Sequence, residues 1–259
     1  MHLVLSPGGV GAIYKIAGCV SAIPNFDDIQ EVSGSSAGAI VGFVICMGFQ
    51  PNQIKEIIFK CDSTLLKKFD VKGLLKNFGL STWGSMRNHF VELVGSDPTF
   101  KELPKKLYVS AYCVNTSRVV YFSRDTHPDM KVIDAMCMSA SIPIILESLV
   151  FEGHRYIDAA VYEKVPMAPF VHVKKEDILL IDCMNSDVSY DKVTTFQSFL
   201  VNLSGILLRN RQYTDINCKR INLDIPFDTL VNFNISHEQK SKLFVDGFLM
   251  YMNNNNESV

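Results

Sequence analysis

No two of the seven cysteines, at 19, 46, 61, 113, 137, 183 and 218, stand in a CxxC spacing, and their number is odd. That argues against a zinc ribbon and against a disulfide framework, and fits a chain kept in the reducing cytosol. Strong charge is missing as well: the formal net charge is −2, so no global field favours nucleic acid. The short basic pairs Lys67-Lys68 and Lys105-Lys106 read as solvated surface. The opening MHLVLSPGG has no basic region ahead of a long apolar stretch, so no signal peptide is expected. Residues 32–54 carry no charge, yet the strongly apolar part, AIVGFVICMGF, has only 11 residues, too few to span a bilayer. No EF-hand loop occurs, and no GK[ST] follows the early glycines, so neither a metal nor a nucleotide cofactor is expected.

What is present is an alternation of short apolar runs and helical patterns. HLVLS (2–6) reads as a buried strand running into Pro7-Gly8-Gly9. Ile13, Ile16, Ala17 and Val20 share one face of a helix over 12–23. A second strand is expected at 29–33, a helix from Ala37 to about Gly48, and another opening at Pro51. KLYVSAYCV (106–114) and RVVYFS (118–123), joined by Asn115-Thr116-Ser117, suggest adjacent antiparallel strands. VIDAMCMSAS predicts a helix stopped by Pro143. YIDAAV, DILLIDCM and KRINLDIP predict further strands, with a helix near 195–212. Ser236-His237-Glu238-Gln239 reads as a capping box for the last helix. The expected fold is α/β, a mostly parallel sheet covered by helices, forming one domain over 1–252 with a disordered polar tail at 253–259. Residues 62–100 stand apart as an amphipathic helical insert. It is either an ordinary packed layer or a lid whose Leu65, Leu66, Phe69, Leu74, Leu75, Phe78 and Trp83 meet an anionic membrane surface.

Two small-residue turns carry the candidate chemistry. Gly34-Ser35-Ser36-Ala37-Gly38 fits G-x-S-x-G between a strand and an apolar helix. Its glycines permit a sharp turn that presents Ser36 at a helix N-terminus, where the dipole favours developing negative charge. Small residues are common at tight turns, so the pentapeptide alone is weak. Pro7-Gly8-Gly9-Val10-Gly11 lies between another strand and helix, and its N–H groups can approach a ligand oxygen closely, as an oxyanion hole requires. Only 35 residues precede Ser36, room for about two strands. That argues against the common α/β-hydrolase order, in which several strands come before the elbow and an acid and histidine follow it. The histidines at 2, 89, 127, 154, 172 and 237 all have plain surface or turn readings.

The ordered set LVLSPGG, GSSAGAI, SASIP and YIDAAV, with TFKEL, KLYVSAYCVNT, FSRDTHPDM, LDIP and SHEQKSKL between and after, resembles the patatin-like phospholipases over nearly the whole chain. The resemblance implies a three-layer α/β/α sandwich and a Ser-Asp dyad without a catalytic histidine. It matches Ser36 to the nucleophile, Asp158 to the base, and Gly8 and Gly9 to the oxyanion loop, with Gly34 and Gly38 shaping the elbow. Acyl esters of phospholipids or other lipids are the implied substrates, reached by a cytoplasmic protein at a membrane surface.

The chain departs from the family pattern at three places. Gly11 stands where the family loop has a basic residue. Ala159-Ala160 follow the aspartate where glycine is usual. Lys164, ahead of Pro166, stands for an asparagine. Alanine forbids backbone angles that glycine permits, and small displacements of catalytic groups cost large factors in rate. A lipid-binding protein without turnover, and an esterase using His172 or His237, therefore stand as alternatives. The sequence sets no oligomeric state.

Overall fold

The computed structural model describes residues 1–67, 71–185 and 217–256, together with 199 and 203. An eight-stranded sheet has the order β10-β9-β1-β2-β4-β8-β7, with β5 also on β4. Its parallel part comprises β1 (His2–Leu5), β2 (Glu31–Ser35), β4 (Lys106–Cys113), β9 (Ile178–Asn185) and β10 (Lys219–Ile225). At one side β5 (Arg118–Phe122), β7 (Leu149–Phe151) and β8 (His154–Asp158) run antiparallel to their neighbours.

The alternation along β1 explains the layering. Leu3 and Leu5 join one apolar cluster, whereas Val4 between them joins another with Phe170, Ile178 and Leu180. Period-two side chains on a strand buried on both faces demand a helical layer or packed segment on each, which is why HLVL is continuously apolar. The result is an α/β/α sandwich. The larger layer includes α1 (Gly9–Ser21), α2 (Ala37–Cys46), α3 (Pro51–Lys60), α6 (Val132–Ser139) and α7 (His237–Asn256).

Several boundaries move from the sequence expectation. α1 begins at Gly9, three residues early, so the glycine loop is itself the first helical turn. β2 runs on to Ser35, which brings the strand to the doorstep of Ser36. The insert holds α4 (Val71–Asn77), a three-residue strand β3 (Gly79–Ser81) and α5 (Gly84–Val94), and β3 pairs with the equally short β6 (Ile144–Leu146). The capping box at Ser236 forms, with Gln239 N–H donating to the Ser236 hydroxyl and Ser236 N–H to the Gln239 amide oxygen. The helix it opens continues through Asn256, so residues 253–256 are helical where a disordered tail was expected. Residues 257–259 and the helix expected near 195–212 fall outside the described residues, apart from 199 and 203.

Candidate active site

β4 explains how two distant side chains meet. Ser110 of β4 pairs with Ser35, the last residue of β2, and the next residue, Ala111, pairs with Asp158 at the end of β8. β5 occupies the other edge of β4 over the same residues. β8 therefore continues the edge that β2 vacates, and the strand ends carrying Ser36 and Asp158 abut.

Ser36 sits between β2 and α2 with φ 52° and ψ −120°, a backbone geometry rare for a residue with a side chain. The turn is tight enough to need both its glycines. A Cβ on Gly34 would lie 2.6 Å from the Gly38 carbonyl oxygen, and one on Gly38 would lie 2.2 Å from that of Leu5. Ser36 N–H donates to the Ser139 hydroxyl at 2.8 Å, so α6 holds the strained residue from below. Ser36 is only 4% exposed, with α2 directed at it N-terminus first as the sequence predicts.

Gly8, Gly9, Ser36, Asp158 and Ala160 line one narrow cleft, closed by Pro7, Ile142 and Leu230. Gly9 has φ 75°, and any Cβ there would strike the Leu230 carbonyl. That carbonyl accepts from Val10 N–H, whereas the N–H groups of Gly8 and Gly9 have no hydrogen-bond partner among the described residues. Asp158 is buried. Its N–H donates to the Ser141 carbonyl at 3.0 Å, and its carboxylate accepts the N–H of Ala160 at 2.8 Å. Among the described residues no histidine lines the cleft: His237 opens α7 with its ring against Phe59.

The departures from the family pattern have local accommodations. Neither Ala159 nor Ala160 has positive φ, so the turn after Asp158 needs no glycine. Gly11 packs on Thr229 so closely that a Cβ would fall 2.1 Å from its hydroxyl oxygen, which leaves no room for a basic side chain. Lys164 Nζ lies 3.4 Å from the fully buried Asp182 carboxylate, a partner that an asparagine would not neutralise.

A second cavity, almost wholly apolar, opens beside the cleft and shares Gly9, Ser36 and Ile142 with it. Its far walls include Ile40, Leu66, Trp83, Met86 and Phe233. Trp83, Met86 and Phe90 of the insert are buried core, so that part of the insert is a packed layer. Leu75 and Phe78, by contrast, are 86% and 56% exposed. Phe69 is outside the described residues.

Sequence reasoning did not single out Glu163. Both its carboxylate oxygens accept from the Tyr121 hydroxyl, at 2.8 and 2.9 Å, and its N–H donates to the Ala159 carbonyl. Burial pushes its carboxyl up to about 7, against the opposing pull of the Tyr121 and Ser110 hydroxyls. Among the described residues no cluster of His, Cys, Asp or Glu could hold a metal ion, and no helix is long and apolar enough to cross a membrane.

A profile of the patatin-like phospholipase family matches residues 3–171, which include the elbow, the glycine loop and Asp158. The chain belongs to that family. It is 25% identical over 272 residues to an uncharacterised protein of Acanthamoeba polyphaga mimivirus, R571, with 95% of this chain and 90% of that one covered. It is 27% identical over 177 residues to a probable lipid hydrolase, 463L, of Invertebrate iridescent virus 6, covering 64% of this chain and 61% of the other. Among solved structures, VipD of Legionella pneumophila has TM-score 0.66 at 15% identity, covering 99% of this chain and 66% of VipD. Human group IVD cytosolic phospholipase A2, bound to a fluorophosphonate inhibitor, has TM-score 0.55 at 12% identity, with 99% of this chain and 58% of that one covered. These structural likenesses establish the patatin-type fold.

Proposed function

We propose that the protein is a lipid acyl hydrolase of phospholipase A type, with Ser36 as nucleophile and Asp158 as its base. The observation that carries this reading is the single cleft lined by Ser36, Asp158, Gly8 and Gly9. Asp158 accepts the Ser36 hydroxyl proton as Oγ attacks the ester carbonyl carbon. The negative charge forming on the carbonyl oxygen is met by the N–H groups of Gly8 and Gly9 and the N-terminus of α2. On collapse the ester C–O bond breaks, and Asp158 returns the proton to the leaving alkoxide. Water repeats the cycle on the acyl-enzyme, releasing the fatty acid and regenerating Ser36. Preorganised N–H donors at the developing oxyanion carry much of the rate.

The apolar cavity beside Ser36 is suited to the acyl chain, since such a chain supplies no polar group and the cavity asks for none. Exposed Leu75 and Phe78, with Lys76 between them, provide a contact for an anionic lipid surface. The viral relative named a probable lipid hydrolase supports the same substrate class. The test is fatty acid release from mixed phospholipid vesicles. Wild-type protein releases it, and Ser36→Ala and Asp158→Asn do not. Full activity in Ser36→Ala refutes the assignment, and vesicle binding without release favours a lipid-binding protein.

A further inference from the structure

Ser141 joins the two cavities. Its carbonyl accepts the N–H of Asp158 at 3.0 Å, and its hydroxyl accepts the indole N–H of Trp83 at 2.9 Å while donating to the Cys137 carbonyl at 2.8 Å. Trp83 is a wall of the apolar cavity, and its backbone N–H donates to the Glu147 carboxylate at 2.6 Å. The segment between these anchors is held under strain: Ile144 has φ 72°, a conformation that a β-branched residue keeps only where its surroundings dictate it. One short stretch of chain thus touches Asp158 at one end and the wall of the apolar cavity at the other.

Resting on the hydrolase reading above, we propose that Trp83 and Ser141 are positioning residues that couple the length of the bound acyl chain to the placement of Asp158. A chain long enough to pack on the indole adds a contact that favours this placement of Trp83. The indole–hydroxyl bond then holds Ser141, whose carbonyl sets the backbone of the base. A short chain leaves Trp83 uncontacted and gains nothing. Both hydrogen bonds are buried, so neither can be replaced by water without cost.

Trp83 is the chain's single tryptophan, which makes the test direct. Two measurements are needed: Trp83 emission during titration with dodecanoate or acetate, and kcat and KM for p-nitrophenyl dodecanoate and acetate in wild type, Ser141→Ala and Trp83→Phe. Trp83→Phe leaves the Ser141–Cys137 bond intact and serves if Ser141→Ala folds poorly. Dodecanoate, and not acetate, shifts the emission. In both variants the dodecanoate-to-acetate ratio of kcat/KM falls about tenfold, mainly through kcat on the long ester. An unmoved emission, an unchanged ratio, or a fall wholly in KM overturns the coupling while leaving the hydrolase reading intact. Wild-type protein that answers dodecanoate at Trp83 yet cleaves neither ester overturns the hydrolase reading, and the coupling with it.

Discussion

The N–H of Ser36 donates to the hydroxyl of Ser139, 103 residues away, at 2.8 Å. This bond supports a residue whose backbone sits at φ 52° without a glycine's freedom. Replacing Ser139 with alanine leaves a buried N–H without its acceptor at the most strained point of the turn. Such a loss costs about 1–3 kcal/mol. Ser139→Ala is expected to lose that much unfolding free energy, seen as a lower denaturant midpoint, and to react more slowly with a serine-directed probe. An unchanged midpoint together with an unchanged labelling rate contradicts this role.

Gly38 faces the backbone of β1. An added methyl would lie 2.2 Å from the Leu5 carbonyl oxygen, and backbone cannot yield as the end of a side chain can. Gly38→Ala is expected to lose about 3 kcal/mol of stability, the upper end for an overpacked core, or to fail to accumulate in folded form. Circular dichroism during urea unfolding measures it. A variant as stable as wild type shows that the elbow is looser than described.

Glu163 makes stability depend on pH. Its carboxyl is raised from 4.5 to about 7 in the folded chain, so between those values the unfolded chain releases the proton and the folded chain keeps it. The neutral carboxyl therefore contributes its full share of stability below about pH 4.5. That share is lost as pH rises to 7, a fall of about 3 kcal/mol at most. Glu163→Gln, which stays neutral and still accepts from Tyr121, removes this fall. Denaturant midpoints at pH 5 and pH 8 decide the matter: wild type and variant losing stability in parallel over the interval contradicts it.

Leu75 and Phe78 form the exposed apolar edge of the insert, and the Phe78 ring lies under the Arg155 guanidinium, 4.3 Å from its centroid. Leu75→Glu is expected to lower the affinity for anionic vesicles, read by co-sedimentation, roughly a hundredfold, the scale of one apolar side chain withdrawn from lipid plus a like-charge penalty. Unchanged sedimentation removes the insert from the lipid contact.

Much of the site was readable because the chemistry constrains short stretches. Gly34 and Gly38 flank Ser36 at a fixed spacing, since backbone crosses backbone there, and a strand-like run and an apolar helix bracket them. The start of α1 was not readable, because Gly9-Val10-Gly11 looks like a loop until the Leu230 carbonyl, far along the chain, is seen to cap it. β6 and β7 have three residues each, too few for a period-two pattern to register, and Ile144 adopts a φ that its residue type argues against. Ser139 and Ser141 were visible only as part of the SASIP string. Their partners Ser36, Trp83 and Asp158 come from other elements, and no local pattern encodes such pairings. The alanines after Asp158 raised a concern that the observed backbone angles answer, since a short 3₁₀ turn needs no glycine.

The most direct test of the account is covalent: react the protein with a long-chain alkyl fluorophosphonate and find the modified residue by peptide mass mapping. One adduct is expected, on Ser36, formed about a hundredfold more slowly in Asp158→Asn, as when a positioned base is lost. An unlabelled Ser36, or labelling that Asp158→Asn does not slow, contradicts it.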